Sequence, residues 1–175
     1  MNILGFVILV LVGVFFYSFN AIVSRSNQVL EASSGIDVAL AKRYSLIPNL
    51  VETVKGYASH ERAIFEQVAA LRTMPVTNRA TYDQDVFAVQ SQLLALAESY
   101  PELKADQQFL NLQRGLTDAE EHIQAARRLY NHKVEVLNST IDTFPGNLVN
   151  HLAKRERAAF YEAESQQRNN PHINW

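Results

Sequence analysis

Residues 105–143, ADQQFLNLQRGLTDAEEHIQAARRLYNHKVEVLNSTIDT, decide the fold class. Phe109, Leu112, Leu116, Ala119, Ile123, Ala126, Tyr130, Val134, Leu137, Ile141 and, just past the stretch, Phe144 recur three and four residues apart. One four-four stutter interrupts the pattern after Ala126. This is the period of a helix with a single apolar seam, sustained for about five heptads. Phe144-Pro145-Gly146-Asn147 then brings both breaker types together, and a short helix from Asn147 to about Glu156 is expected to follow.

The same period extends outward. Tyr82, Val86, Val89, Leu93, Leu96 and Tyr100 predict a helix over about Thr81–Tyr100, with Thr81 as its cap and Pro101 stopping or kinking it. Met74-Pro75 and Thr77-Asn78 mark a connection before it. Upstream, Ile22, Val29, Ile36, Leu40, Tyr44, Ile47, Val51, Val54, Ala58, Ile64, Val68 and Leu71 predict one long helix from about Asn20 to Arg72. Pro48 is expected to kink this helix without reversing the chain. No Asn-Gly or Asp-Gly hairpin turn lies between alternating apolar runs. The expectation is an all-α chain, an elongated antiparallel (up-down) bundle with a proline kink and an extended C-terminal tail. Its divisions would fall at 1–24, 25–157 and 158–175.

Met1 to Ser24 contain no charged side chain. As a helix this stretch spans roughly 36 Å, more than the ~30 Å hydrocarbon core of a bilayer. Ile3, Leu4, Phe6, Val7 and Leu9 would face acyl chains, and Phe15, Phe16, Tyr17 and Phe19 would form an interfacial belt. No Lys or Arg precedes the run, and Tyr17-Ser18-Phe19-Asn20-Ala21 is a poor cleavage site. A retained single-pass anchor is therefore expected rather than a removed signal peptide. Arg25, Lys42 and Arg43 follow the span, so the basic-residue bias places the N-terminus outside and the bundle in the cytoplasm.

Composition and motifs exclude more chemistry than they suggest. The net charge of −2 carries no electrostatic footprint for nucleic acid. There is no cysteine nucleophile, no glycine-rich phosphate loop and no Gly-x-Ser-x-Gly elbow. His60-Glu61-Arg62-Ala63-Ile64 begins like a zinc-protease helix, but Ile64 stands where the second histidine is needed. None of His60, His122, His132, His151 and His172 has the Glu three residues earlier that a di-iron bundle uses. Asn138-Ser139-Thr140 matches a glycosylation acceptor but sits mid-helix. No catalytic residue, metal or cofactor is expected.

Four further features have alternative readings. Arg43, Asn49, Glu52, Lys55 and Asn147 border the proline breaks, where they would satisfy backbone groups that lose helical partners or else form a ligand site. Lys154-Arg155-Glu156-Arg157 would touch anionic headgroups or form a solvated helix face. Gly5 and Gly13 lie on one face of the anchor with Leu9 between them. Ser26, Ala32, Ser33 and Gly35 continue the small-residue character, so this helix is expected to pack on other copies or to expose its glycines to lipid. Trp175 would pin the tail to the bundle or to a neighbouring subunit, or else fray.

Asp37 to Ala58, DVALAKRYSLIPNLVETVKGYA, closely resembles the signature of the LemA family. So does Ala126-Arg127-Arg128-Leu129-Tyr130-Asn131, continuing through Asn138, Ile141 and Thr143-Phe144-Pro145-Gly146-Asn147-Leu148-Val149. Leu129 and Leu137 depart from aromatic positions of that pattern. The resemblance marks Arg43, Tyr44, Pro48, Asn49, Glu52, Tyr130, Asn131, Phe144, Pro145 and Asn147 as signature residues with structural roles. It implies a bacterial inner-membrane protein with an N-terminal span and a helical bundle, with no catalytic residue to carry over. A branch of the family is linked to membrane remodelling. The functional expectation is thus a non-enzymatic homo-oligomeric scaffold or organiser on the cytoplasmic face of the membrane. The alternative is an adaptor that recruits or regulates another membrane protein.

Overall fold

The computed structural model describes residues 3–58, 60–73 and 79–161. Every regular element among them is an α-helix: α1 (Ile3–Tyr57), α2 (Arg62–Thr73), α3 (Arg79–Ala97), α4 (Pro101–Ala105), α5 (Gln107–Asp142) and α6 (Gly146–Ala153). Helix α1 contains the one stretch long and apolar enough to cross a membrane among the described residues, and that window is only 11% buried. Pro48 lies inside α1 and does not end it. It lacks the N–H that would bond one turn back, and the helix continues past it to Tyr57.

The run expected to reach Arg72 divides after Tyr57 instead. The Ala58 N–H still donates to the Val54 carbonyl at 2.9 Å, and the Glu61 N–H donates to the Ala58 carbonyl at 3.1 Å. Gly56, a poor helix former, lies just before the break. Packing supplies the stronger reason. A straight helix would carry Val68 about 15 Å beyond Ala58. The turn returns Val68 and Leu71 to the same apolar core as Val51, Val54 and Ala58. The residues of the expected loop, 74–78, and the tail from 162 onward, with Trp175, lie outside the described residues.

The chain divides into two compact units. The first unit of the core, residues 37–124, gathers Ile47, Leu50 and Val54 of α1, Val68 of α2, Val86, Val89 and Leu93 of α3, Leu103 of α4 and Phe109 and Leu116 of α5. Partners along α1 and α5 run in opposite order here. Tyr57 hydrogen-bonds Asp106, Leu46 lies against Gly115, and Lys42 pairs with Asp118. Asp106 begins α5 by accepting from the Phe109 N–H at 2.9 Å. That bond, helped by the Tyr57 hydroxyl, holds the Asp106 carboxyl below its usual range, and the same contact raises the Tyr57 hydroxyl. The Lys42 ammonium likewise lowers Asp118.

The other unit comprises residues 1–36 and 125–175. Its core combines Ile22 and Val29 of α1, Val134, Leu137 and Ile141 of α5, and Val149 of α6, with Phe15, Phe19, Tyr130, Ala153 and Ala158 packed against it. The seam expected along α5 is buried as far as Ile141 except at Ala126 and Tyr130, which are half-buried. Phe144, expected as its last member, is 77% exposed. The helix has already ended at Asp142, so the three-four period no longer dictates its direction. Helix α6 begins at Gly146 and closes at Lys154, whose backbone is left-handed (φ 48°, ψ 40°). It is therefore shorter than the expected Asn147–Glu156, and the basic run 154–157 leaves the helix.

Gly146 is buried where the chain turns from α5 into α6, and a Cβ there would run into the Thr140 carbonyl oxygen. Gly146→Ala is expected to destabilise the full-length protein by about 1–3 kcal/mol, the usual cost of overpacking. Chemical denaturation monitored by helical circular dichroism would measure the loss, and an unchanged midpoint would refute this account of the turn.

Candidate functional site

Three groups of residues have geometry beyond ordinary core packing. The first is the exposed apolar part of α1. Ile3, Leu4, Phe6, Leu9, Phe16 and Tyr17 are all more than half exposed, and Val7 is 45% exposed. Of the expected anchor and belt residues, Phe15 and Phe19 turn toward the core and stack on each other at 6.3 Å between centroids. Gly5 and Gly13 have open space where a Cβ would stand. Further on, Ala32 is buried, Ser26 and Ser33 are half-buried, and Gly35 is exposed.

The second group surrounds Arg43, which is 1% exposed. It occupies a core position of α1 in the series Ile36, Leu40, Arg43, Ile47, Leu50, Val54, a place the apolar period assigns to Tyr44 only by skipping it. Its guanidinium bonds the Asp83 carboxylate, donates to the Asp83 carbonyl at 3.1 Å, and donates to Glu120 Oε2 at 2.9 Å. The Phe87 ring lies 5.9 Å from the guanidinium carbon. Tyr44 packs edge-on against Tyr82 at 5.1 Å. A small apolar cavity lined by Tyr44, Ile47, Pro48, Val68, Leu71, Tyr82 and Val86 lies next to them.

Arg43 thus joins α1, α3 and α5 and makes these contacts away from the Pro48 break. Asn49 is exposed, and its carbonyl accepts from the Thr53 hydroxyl at 2.9 Å. Glu52 and Lys55 form an exposed pair at 3.3 Å. Asn147 Oδ1 accepts from the Leu148 N–H at 2.8 Å, at the start of α6. The residues at the breaks therefore do not converge on one site. Among the described residues no cluster of three His, Asp or Glu side chains is arranged to hold a metal ion.

The third group lies along α5 and reads peptide backbone. Asn138 donates from Nδ2 to the Ala158 carbonyl at 3.0 Å, and its Oδ1 accepts from the Ala158 N–H at 2.9 Å. Asn131 does the same with Tyr161, at 3.0 and 2.7 Å. Tyr130 Oη donates to the Ala159 carbonyl at 3.0 Å, and the Arg127 guanidinium stacks over the Tyr161 ring at 4.8 Å. Asn150 holds the N–H and carbonyl of Arg155 in the same two-bond fashion, both at 3.0 Å.

The spacing explains the match. Two helical turns separate Asn131 from Asn138, about 10.5 Å. Three residues of extended chain from Ala158 to Tyr161 cover about 10 Å. A side-chain amide carries one donor and one acceptor edge, like a peptide unit. Each asparagine therefore acts as a rung of a two-stranded ladder. Asn131 and Tyr130 are signature residues of the sequence. Asn138 belongs to the quoted signature segment and also matched an acceptor motif inside a helix, and its 4% exposure shows a buried amide. Two asparagines one heptad apart, both poor helix formers beside an apolar seam, were the available signal.

Two substitutions test these arrangements. Arg43→Met removes a buried cation bonded to a buried carboxylate and is expected to cost about 3–5 kcal/mol, the usual penalty for breaking a buried pair. Adding Asp83→Leu should recover most of that loss, because the stranded charge goes with it. Equal denaturation midpoints for the single and double variants would contradict this. Asn138→Ala removes two backbone bonds, worth about 1 kcal/mol each. It is expected to speed tryptic cleavage of the full-length protein after Arg157, and an unchanged cleavage rate would show that the amide does not hold the segment.

The comparisons with known proteins agree with this architecture. Protein LemA of Metamycoplasma hominis is 24% identical over 167 residues, covering 90% of this chain and 76% of its own. The LemA family matches over residues 32–175, which takes in the Arg43 cluster, both backbone-reading asparagines and α6. With most of its length inside that match, the chain belongs to the LemA family.

Proposed function

We propose that this protein is a non-enzymatic, single-pass membrane protein that assembles with copies of itself as a scaffold or organiser at the cytoplasmic face of a bacterial inner membrane. The observation that carries the reading is the continuity of α1. Its first part exposes Ile3, Leu4, Leu9 and Leu11 without a charge until Arg25, and the same helix then supplies Ile22, Val29, Leu50 and Val54 to the two cores. In water such a face would aggregate, whereas a bilayer would cover it. Family membership and the apolar helix support the membrane location. Arg25 and Lys42, the first basic side chains exposed after the span, support the cytoplasmic side.

Support for self-assembly comes from the same helix. Gly5 and Gly13 leave an open strip beside Leu9, a surface on which a second helix can approach closely. The full-length protein reconstituted in lipid nanodiscs is expected to give masses of more than one copy. Gly5→Leu combined with Gly13→Leu should shift the distribution toward single copies. A strictly monomeric wild-type protein would refute the scaffold reading.

A further inference from the structure

We propose that α6 is a second membrane-contacting element, an amphipathic helix lying in the headgroup–acyl boundary of the bilayer beside the point where α1 leaves it. The inference rests on the membrane-anchored reading above and adds a lipid-binding surface to it.

Helix α6 buries Gly146 and Val149 and turns its other face outward. Leu148 is 61% exposed and Leu152 70% exposed, one helical turn apart, and Phe144 lies exposed in the turn before them. Leu148 and Leu152 form an apolar strip along α6, and Phe144 adds a third exposed apolar side chain in the turn that precedes it. Nothing among the described residues covers it.

The position of the strip says what does. Val149 and Ala153 of α6 belong to the same apolar cluster as Phe15, Phe19 and Ile22 of α1. If the hydrocarbon core begins at Ile3, its ~30 Å thickness ends near Val23 at ~1.5 Å per residue. Residues 15–22 are then the last turns of α1 inside lipid or at its boundary. An element packed against them cannot stand far out in water. A helix of this kind buries its apolar face about 5–10 Å into the boundary region.

Charge agrees with that placement. Lys154, Arg155 and Arg157 follow directly on α6 and are exposed, with Glu156 as the one acid of the run. Arg157 also pairs with Asp142 at 2.6 Å. Asn150 holds the backbone of Arg155, so this basic segment is fixed at the end of the apolar strip. Apolar side chains followed by basic ones suit a boundary with acyl chains on one side and phosphates on the other. From there the chain passes to Asn138 and Asn131, back along α5.

The sequence has no cysteine, so single-cysteine variants of the full-length chain report one position each. Leu9→Cys, Leu148→Cys, Leu152→Cys and Glu31→Cys would be labelled with an environment-sensitive fluorophore. Each would be reconstituted in phosphatidylcholine/phosphatidylglycerol vesicles with and without acyl-chain spin-labelled lipid. Labels at 148 and 152 are expected to lose most of their emission to the lipid-borne quencher, as the label at 9 does. The label at 31, past the span on α1, should keep its emission. Quenching at 9 but not at 148 and 152 would overturn this inference and leave the anchor standing. No quenching at any position would overturn both. Efficient disulfide formation between Leu148→Cys copies, with the site shielded from lipid, would assign the strip to a second copy and also overturn it.

Discussion

Burial of one stripe of α1 against α5 is the interaction on which the rest of the structure depends. Both cores are built on it. Leu50 and Val54 meet Leu116 and Phe109 in one unit, and Ile22 and Val29 meet Val134 and Leu137 in the other. In proteins most helical stability comes from packing of an apolar face. The shorter helices are then placed by what this pair leaves uncovered. Helices α2, α3 and α4 complete the core of residues 37–124 through Val68, Leu93 and Leu103. Helix α6 closes the other through Val149.

Polar side chains give this apolar packing its register. Hydrophobic burial has no direction, and a helix can slide by one turn against its neighbour at modest cost. Arg43 removes that freedom within its unit, because its guanidinium must meet Asp83 and Glu120 together. A slip would leave buried charge without a partner, which costs several kcal/mol. Asn131 and Asn138 do the corresponding work for the chain after α6. Their amides satisfy the N–H and carbonyl groups of Ala158 and Tyr161, which otherwise would have to face water or stay unpaired. These residues carry the family signature in the sequence. In the structure these signature residues hydrogen-bond at fixed places.

One apolar face in this chain is used in two settings. In α1 the apolar residues up to Val14 are exposed on all sides, whereas from Ile22 onward most follow a buried stripe, with Leu30 and Val38 as exposed exceptions. The change from all-round exposure to one-sided burial marks where the packed protein core begins. The strip Phe144, Leu148 and Leu152 lies near that transition, in the same unit as Phe15 and Phe19.

The three-four spacing of large apolar residues was legible in the sequence because helical geometry maps spacing directly onto a face. It identified α5, α3 and most of α1, and it selected Ile22, Leu40, Val54, Leu93, Leu116 and Ile123 for the core, all of which are buried. The uncharged leading run identified a helix able to cross a membrane for the same local reason. Spacing was silent wherever two distant segments had to meet. It did not break the helix at Tyr57, since the return of Val68 to Ala58 is a property of the shared core. It did not bury Arg43, since a cation enters a core only when Asp83 and Glu120 arrive from other helices. It did not give Asn138 a partner, since Ala158 reaches it only after the turn at Lys154. Period and composition by themselves determine helices and their apolar faces, because those depend on neighbours along the chain. Only the tertiary structure decides which polar groups are paired and which apolar faces stay uncovered, because those depend on neighbours in space.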